Sequence, residues 1–281
     1  VKSGTVSVFR ELTDIGGSLK PVSLTGETGA SNCLRILSYN VQGGVDIGRY
    51  HHYVTRSWKQ VLPHRDSIRN LDRIADILAH YDLVALQEVD AGSLRSGFVN
   101  QIEYLAHRAE FPYWYEQVNR SIGKFAQYSN GLLSRVRPAC VTEHRLPGLP
   151  GRGAILVEFG TGTDVLAVCS LHLALGRRAR NRQLDYVGEM ISGFEHVIVI
   201  GDFNCRPDAR ELRGLMRAQG LREPACDLHT FPSWRPARNI DHILVSSTLH
   251  VKRAKTLDYP LSDHLPICME VELPKRIRLA A

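Results

Sequence analysis

His196-Val197-Ile198-Val199-Ile200-Gly201-Asp202-Phe203-Asn204 is the stretch whose reading decides the fold. From His196 to Ile200 the run is apolar, β-branched and of strand length, so it reads as a buried strand. It then finishes in an Asp and an Asn, which a packed sheet does not want without a partner for the charge. A helical pattern from about Arg178 to Gly193 precedes it, and before that a strand at Val165–Leu171 ends in His172. Helical Glu211–Gln219 follows, and the end of the chain returns to β at Ile240–Ser246, Val251–Leu257 and Leu265–Val271.

The same alternation extends upstream. Leu34–Val41 and Asp82–Val89 read as strands, with further strands at Gly131–Ser134 and Arg152–Phe159. Between the first two, Asp66–His80 places Ile68, Leu71, Ile74, Ile77 and Leu78 at helical spacing, with Asp66 or Ser67 as the N-cap. Gln101–Ala109 is a second helix, and the Pro147-Gly148-Leu149-Pro150-Gly151 cluster is short enough to be a turn rather than a linker. The expectation is one α/β domain over residues 34–281, preceded by a polar N-terminal extension over residues 1–33 that packs loosely as an extended arm.

Composition narrows the class. The chain has 281 residues, 43% hydrophobic and 23% charged, enough to bury a sizeable core and too apolar for long-range disorder. A net charge of +6 tilts it toward acidic partners such as nucleic acid or anionic lipid, though an ordinary basic protein reads the same way. Six dispersed cysteines form no C-x-x-C pair, which argues against structural zinc and for reduced thiols. No apolar run is long enough to span a membrane, and residues 1–33 lack the apolar core of a signal peptide. Those features give the expectation of a cytoplasmic monomer.

Several further strands end in polar groups. Asn40 closes Leu37-Ser38-Tyr39-Asn40, Glu88 closes Val84-Ala85-Leu86-Gln87-Glu88, Asp241 opens a strand, and Ser262-Asp263-His264 precedes another. Each alone is explained by a turn or a satisfied loop residue, but a folded sheet brings its strand ends to one rim. Together these residues suit phosphodiester hydrolysis. Carboxylate and amide oxygens hold a hard cation such as Mg²⁺ or Mn²⁺, a His beside an Asp makes an oriented acid–base or charge-stabilising unit, and neutral amides can donate to a developing phosphorane.

The ordered set LSYNV, LQEV, SNGLLSR, LHL, GDFN, IDHILV and SDHLP resembles the endonuclease/exonuclease/phosphatase superfamily across roughly Leu34 to Glu272. The resemblance implies a four-layer α/β/β/α sandwich of two mainly antiparallel sheets flanked by helices, with the site at one rim. It implies Glu88 as principal metal ligand with Asn40 beside it and Asp263 near the metal. Asp202 and Asn204 would position the attacking water and grip the phosphate. His264, oriented by Asp241, would be a general base or a charge-stabilising donor, and His172 a phosphate donor or general acid.

Other candidates are open to two readings. Asn130 faces the phosphate or shapes an Asn-Gly turn, and Arg180 and Gln183 touch substrate or pack their helix. The Gly48–Arg65 stretch, with Arg56, Trp58 and Lys59, tracks a nucleic-acid backbone or is a solvated insertion. Thr230–Arg235 is a second rim loop of the same kind, and Phe111–Tyr115 is an aromatic wedge or core. The function expected is a Mg²⁺- or Mn²⁺-dependent phosphodiesterase acting on nucleic acid. The alternative is a phospholipid or small-molecule phosphoesterase, and a non-catalytic module with the same fold is the third reading.

Overall fold

A computed structural model of the chain describes residues 5–7, 10–11, 33–42, 65–123, 125–161, 164–225, 227–277 and 279. Its strands make two seven-stranded sheets. The first runs, edge to edge, β1 (Thr5–Ser7), β7 (Cys140–Arg145), β8 (Gly153–Thr161), β9 (Asp164–His172), β10 (His196–Asp202), β12 (Asp241–Ser246) and β11 (Leu221–Arg222). The second runs β13 (His250–Thr256), β14 (Ile267–Glu272), β3 (Cys33–Asn40), β4 (Leu83–Asp90), β6 (Ala126–Ser134), β5 (Tyr113–Ile122) and β2 (Arg10–Glu11). Most pairings are antiparallel; β3 with β4 and β9 with β10 are parallel.

Alternation along each strand explains the layering. In β10, Ile198 and Ile200 point into the space between the sheets, where they meet Ile36, Ala85 and Met269 of the other sheet. Val197 and Val199 point the other way and pack on helices α3 (Arg177–Ile191) and α4 (Arg210–Gln219) through Leu184, Val187 and Leu212. In the second sheet, Val84 and Leu86 face helices α1 (Arg65–Leu78) and α2 (Gln101–Arg108) through Leu71, Ile74 and Leu105. Both faces of each central strand are covered, so these strands read as unbroken apolar runs. The result is the α/β/β/α sandwich.

Five strands, β1, β2, β5, β7 and β11, have no counterpart among those expected from the sequence. β5 begins in the aromatic run, with Trp114 buried against the α1/α2 layer and Tyr115 between the sheets, so those rings are core. β7 and β5 in turn carry the short edge strands β1 and β2 from the N-terminal extension. Among the described residues the cysteines Cys33, Cys140, Cys169, Cys205 and Cys268 are free thiols. No described helix is long and apolar enough to cross a membrane.

Register delivers the site. His172 pairs with Asp202 across the parallel β9–β10 ladder, and Asp202 pairs with Asp241 across the antiparallel β10–β12 ladder. Three polar residues from three strands therefore lie on one rung. Gly201 makes the close approach possible: its φ is 143°, and an added Cβ would lie 2.0 Å from the Leu171 carbonyl oxygen. Gly201→Ala is expected to cost roughly 2–4 kcal/mol, because a non-glycine residue is strained there and meets backbone that cannot yield. Denaturant unfolding measures this; an unchanged midpoint would show that β9 moves aside freely.

Candidate active site

Asp202 is the hub of the rim. Its Oδ2 accepts from Asn40 Nδ2 at 3.2 Å and its Oδ1 from the Asn204 backbone N at 2.8 Å. Burial raises this carboxyl to about 7, and the neighbouring Asp241 charge adds to the push. Asn204 sits just beyond the strand with φ 52°, its Nδ2 donating to the Leu173 carbonyl. The end of β3 and the end of β10, from different sheets, are thus tied together through Asn40 and Asp202.

Beside the hub, His264 Nδ1 donates to Asp241 Oδ2 at 2.8 Å. Burial alone would pull this imidazole down, but Asp241, then Asp202 and Asp263, hold it up at about 10. At neutral pH it is a buried cation. Thr230 Oγ1 also donates to Asp241 Oδ2, Ser233 N donates to the Asp263 carbonyl, and Leu265 N donates to the Thr230 carbonyl. The Thr230–Ser233 segment is therefore a strap that holds the Ser262–His264 turn. Ser262 Oγ reaches the Asn40 carbonyl at 2.7 Å, closing the ring of contacts.

Glu88 occupies a β-bulge. Register shifts between Leu86 and Val89 opposite β6, and Glu88 itself has φ 56°, uncommon for a residue other than glycine. The bulge turns the carboxylate out of the sheet into the rim, where its side chain keeps 28% exposure and Oε1 lies 3.7 Å from His172 Nε2. Its charge contributes to the raised pKa of Asp202 and, after burial, to that of Asp263, which stands at about 6.

The donor chemistry fits a hard divalent cation. Asp202, Asp241 and Asp263 gather around the His264 imidazolium with Glu88 close to His172, and the upward shifts of Asp202 and Asp263 come first from burial and then from neighbouring carboxylates. Asp202, Asp241 and His264 offer ligand atoms within 4.8 Å of one another. That trio is nevertheless a poor cage, because a protonated His264 has no lone pair to give and its Nδ1 is already bonded to Asp241. Glu88, the most open of the carboxylates, is the better anchor. Asn40 Oδ1 accepts from Gln42 N at 3.2 Å, leaving one lone pair on that oxygen.

His172 is buried and held well below its ordinary pKa by burial, then by Arg152 and His264. Arg152 Nη1 lies 3.1 Å from His172 Nδ1. A guanidinium can only donate, so Nδ1 accepts and the ring proton sits on Nε2. That Nε2–H lies 3.4 Å from Asp202 Oδ2, at the centre of the rim. Both His172 and Arg152 line a cavity of about 460 Å³ together with Glu88, Arg120 and Asn130. Asn130 is buried, donates to the Gly153 carbonyl at 3.2 Å, and leaves Oδ1 without a hydrogen-bond partner among the described residues.

Of the residues singled out in the sequence, Asn40, Glu88, His172, Asp202, Asn204, Asp241, Asp263 and His264 come together, with Asn130 in the adjoining cavity. Arg180 does not point free: it is buried, pairs with Glu211 at 2.9 Å and donates to the Ala174 and Leu175 carbonyls, so it braces the loop after β9. Gln183 braces the same loop through Ala174 N and the Pro147 carbonyl. Arg235 is exposed two residues beyond the strap. Trp58, Arg56 and Lys59 lie outside the described residues. Arg152, the partner of His172, is not singled out in the sequence, whereas Thr230 is singled out only as part of a rim loop and not as the partner of Asp241. Arg152 follows a Pro/Gly turn and carries no local pattern, and only the folded rim pairs it with His172 and Thr230 with Asp241.

A sequence model described as the Endonuclease/Exonuclease/phosphatase family matches residues 37–264. None of the curated proteins compared matches the chain. Among solved structures, an endonuclease/exonuclease/phosphatase from Beutenbergia cavernae superposes with TM-score 0.66 at 18% identity, covering 86% of this chain and 72% of that one. A Bacteroides thetaiotaomicron mannosyl-6-phosphatase gives TM-score 0.62 at 18% identity, covering 85% and 99%. The human Nocturnin catalytic domain with bound sulfate gives 0.64 at 17%, covering 87% and 96%. These likenesses establish a shared fold.

Proposed function

The chain belongs to the endonuclease/exonuclease/phosphatase family, and from that membership and the rim geometry we propose that it is a divalent-metal-dependent phosphodiesterase acting on nucleic acid. The observation that carries the reading is the gathering of Asp202, Asp241 and Asp263 around the His264 imidazolium, with the more open Glu88 carboxylate beside His172 on the same rim. Glu88 would hold the cation, with Asn40 and Asp263 beside it. A bound Mg²⁺ or Mn²⁺ would neutralise phosphate oxygen charge and stabilise the leaving oxygen.

The chain's own groups divide the remaining work. Asp202, with a pKa of about 7, is matched to take the proton of an attacking water near neutral pH. Asn40 and Asn204 fix its two oxygens so that this water has one approach. His264 is a charged donor to a phosphoryl oxygen, and His172 a neutral donor through Nε2. The net charge of +6 and the arginines on the cavity walls support a polyanionic substrate.

A second reading has its own observation. Leu149 and Leu175 stand 85% and 76% exposed on the lip of the 460 Å³ cavity. Apolar side chains there would favour a substrate with an apolar group, as a phospholipid has. A hydrolysis panel with Mg²⁺, Mn²⁺ or EDTA separates the readings. It would include plasmid, single-stranded DNA, RNA, sphingomyelin, phosphatidylinositol phosphates and a chromogenic diester. Turnover of lipid without nucleic acid sinks the nuclease reading, and turnover in EDTA sinks the metal.

Arg152 supplies a narrower test. Arg152→Met removes the donor to Nδ1 and one of the charges that depress His172, so the imidazole should titrate closer to its ordinary value. Ring ¹⁵N shifts should change from a single Nε2–H tautomer to a mixture, and Arg152→Lys should restore part of the wild-type pattern. Unchanged ring shifts in Arg152→Met would show that the tautomer is set elsewhere.

A further inference from the structure

A second cavity, of about 640 Å³, begins where the loop after β10 leaves the rim. Its floor is Asn204, Cys205 and Arg206, shortly after Asp202, together with Ile240, the neighbour of Asp241. Phe203 N donates to the Ile240 carbonyl at 2.9 Å, so this floor is part of the catalytic rim. Leu175 lines both cavities and forms the ridge between them. Any group seated here is a neighbour of the phosphate held at Asn204 and Asp202.

The walls are basic beyond what folding asks of them. Arg177 opens α3, Arg210 opens α4, and Arg238 precedes β12; all three are exposed and make no ion pair among the described residues. Of the two acids on the lining, Glu211 is committed to Arg180, and Asp208 lies 3.5 Å from Arg206 with both side chains largely in solvent. Such an exposed pair neutralises little. Like charges gathered on one concavity repel, and α3 adds to the cost by carrying Arg177, Arg178, Arg180 and Arg182 in its first two turns with no acidic residue in the first. An anion in the cavity would reverse that balance, and the guanidinium fork matches phosphate.

The other cavity narrows what kind of anion suits the surface. It abuts Glu88 and His172 and carries Arg120 and Arg152. Guanidinium groups therefore border the scissile position through both cavities, which a substrate with a single phosphate does not need and a chain of phosphates does. We propose that the cavity of Arg177, Arg206, Arg210 and Arg238 binds the phosphate next to the scissile one on a nucleic-acid strand. This rests on the nuclease reading above.

The test uses the full chain with Arg177, Arg210 and Arg238 replaced by Ala together, exposed positions whose loss leaves the fold intact. A labelled single-stranded oligonucleotide is titrated in EDTA by anisotropy at several salt concentrations. Affinity should fall, with the log–log salt slope shallower by roughly 0.7 for each phosphate that no longer meets an arginine. Asp208→Asn should act in the opposite direction. With Mg²⁺, the ratio of oligonucleotide turnover to that of a one-phosphate chromogenic diester should fall at least tenfold in the triple variant. An unchanged slope and ratio, or an equal fall on both substrates, overturns the pocket. Wild-type cleavage of a small bisphosphate but not of the oligonucleotide overturns the strand as occupant. If no phosphoester at all is hydrolysed, the enzymatic reading fails while the EDTA titration still decides the pocket.

Discussion

Replacing Glu88 by Gln is expected to lower phosphoester hydrolysis by roughly a hundredfold or more, since a metal's several kcal/mol of transition-state stabilisation correspond to at least two powers of ten. Gln keeps the shape that the bulge at φ 56° presents and removes only the charge. The effect on stability should run the other way. Glu88 helps to push Asp202 and Asp263 upward, so its neutralisation relieves repulsion and the metal-free variant should be at least as stable as wild type. Wild type should gain in melting temperature as Mg²⁺ or Mn²⁺ is added, because a cation that binds only the folded rim stabilises it by mass action. Glu88→Gln should lose most of that gain and recover part of its activity only at high metal concentration. Equal activity of wild type with Mg²⁺ and in EDTA would remove Glu88 from a metal-binding role.

What the sequence makes legible here follows from range. The strand ends can be read because the burial of β3, β4, β9 and β10 on both faces leaves Asn40, Glu88, His172 and Asp202 as polar interruptions in apolar runs. Such an interruption is visible within a window of a few residues. β5 and β7 are not visible in this way, because each has one face or edge against weaker cover and alternates with Glu, Gln, Asn or Thr rather than standing out as apolar. The bulge at Glu88 is hidden as well, since its cause is the opposing β6 register and not a Gly in β4. Partners are the least legible of all. Arg152 reaches His172 from twenty residues away and Thr230 reaches Asp241 from eleven, and although the Thr230–Arg235 loop stands out, neither partnership leaves a local signature. Arg180 shows the converse: an exposed-looking arginine on a basic helix is buried, because Glu211 on the next helix comes to meet it.

The His264–Asp241 pair should show the largest loss from a single imidazole. His264→Ala is expected to reduce turnover by two or more powers of ten, the general scale for a positioned acid–base or charged donor. Among the described residues it also leaves the buried Asp241 side chain with the Thr230 hydroxyl alone, and breaking a buried pair from one side costs about 3–5 kcal/mol of stability. Asp241→Asn attacks the same unit from the other end. Against the downward pull of burial, Asp241 is the main support of the His264 pKa near 10, so its neutralisation drops that pKa. The sign is fixed by the active form. A protonated donor is present below its pKa and lost above it, so the alkaline fall in kcat should move to lower pH in Asp241→Asn. The pair's contribution to stability follows the same rule: it is full below the ordinary value of 6.5 and disappears as pH rises toward 10. The double variant should lose much less activity than the two single losses combined, because each single change already disables the unit. Additive losses, or an alkaline limb that stays in place in Asp241→Asn, would show that the two side chains act separately and that His264 draws its charge from Asp202 and Asp263 instead.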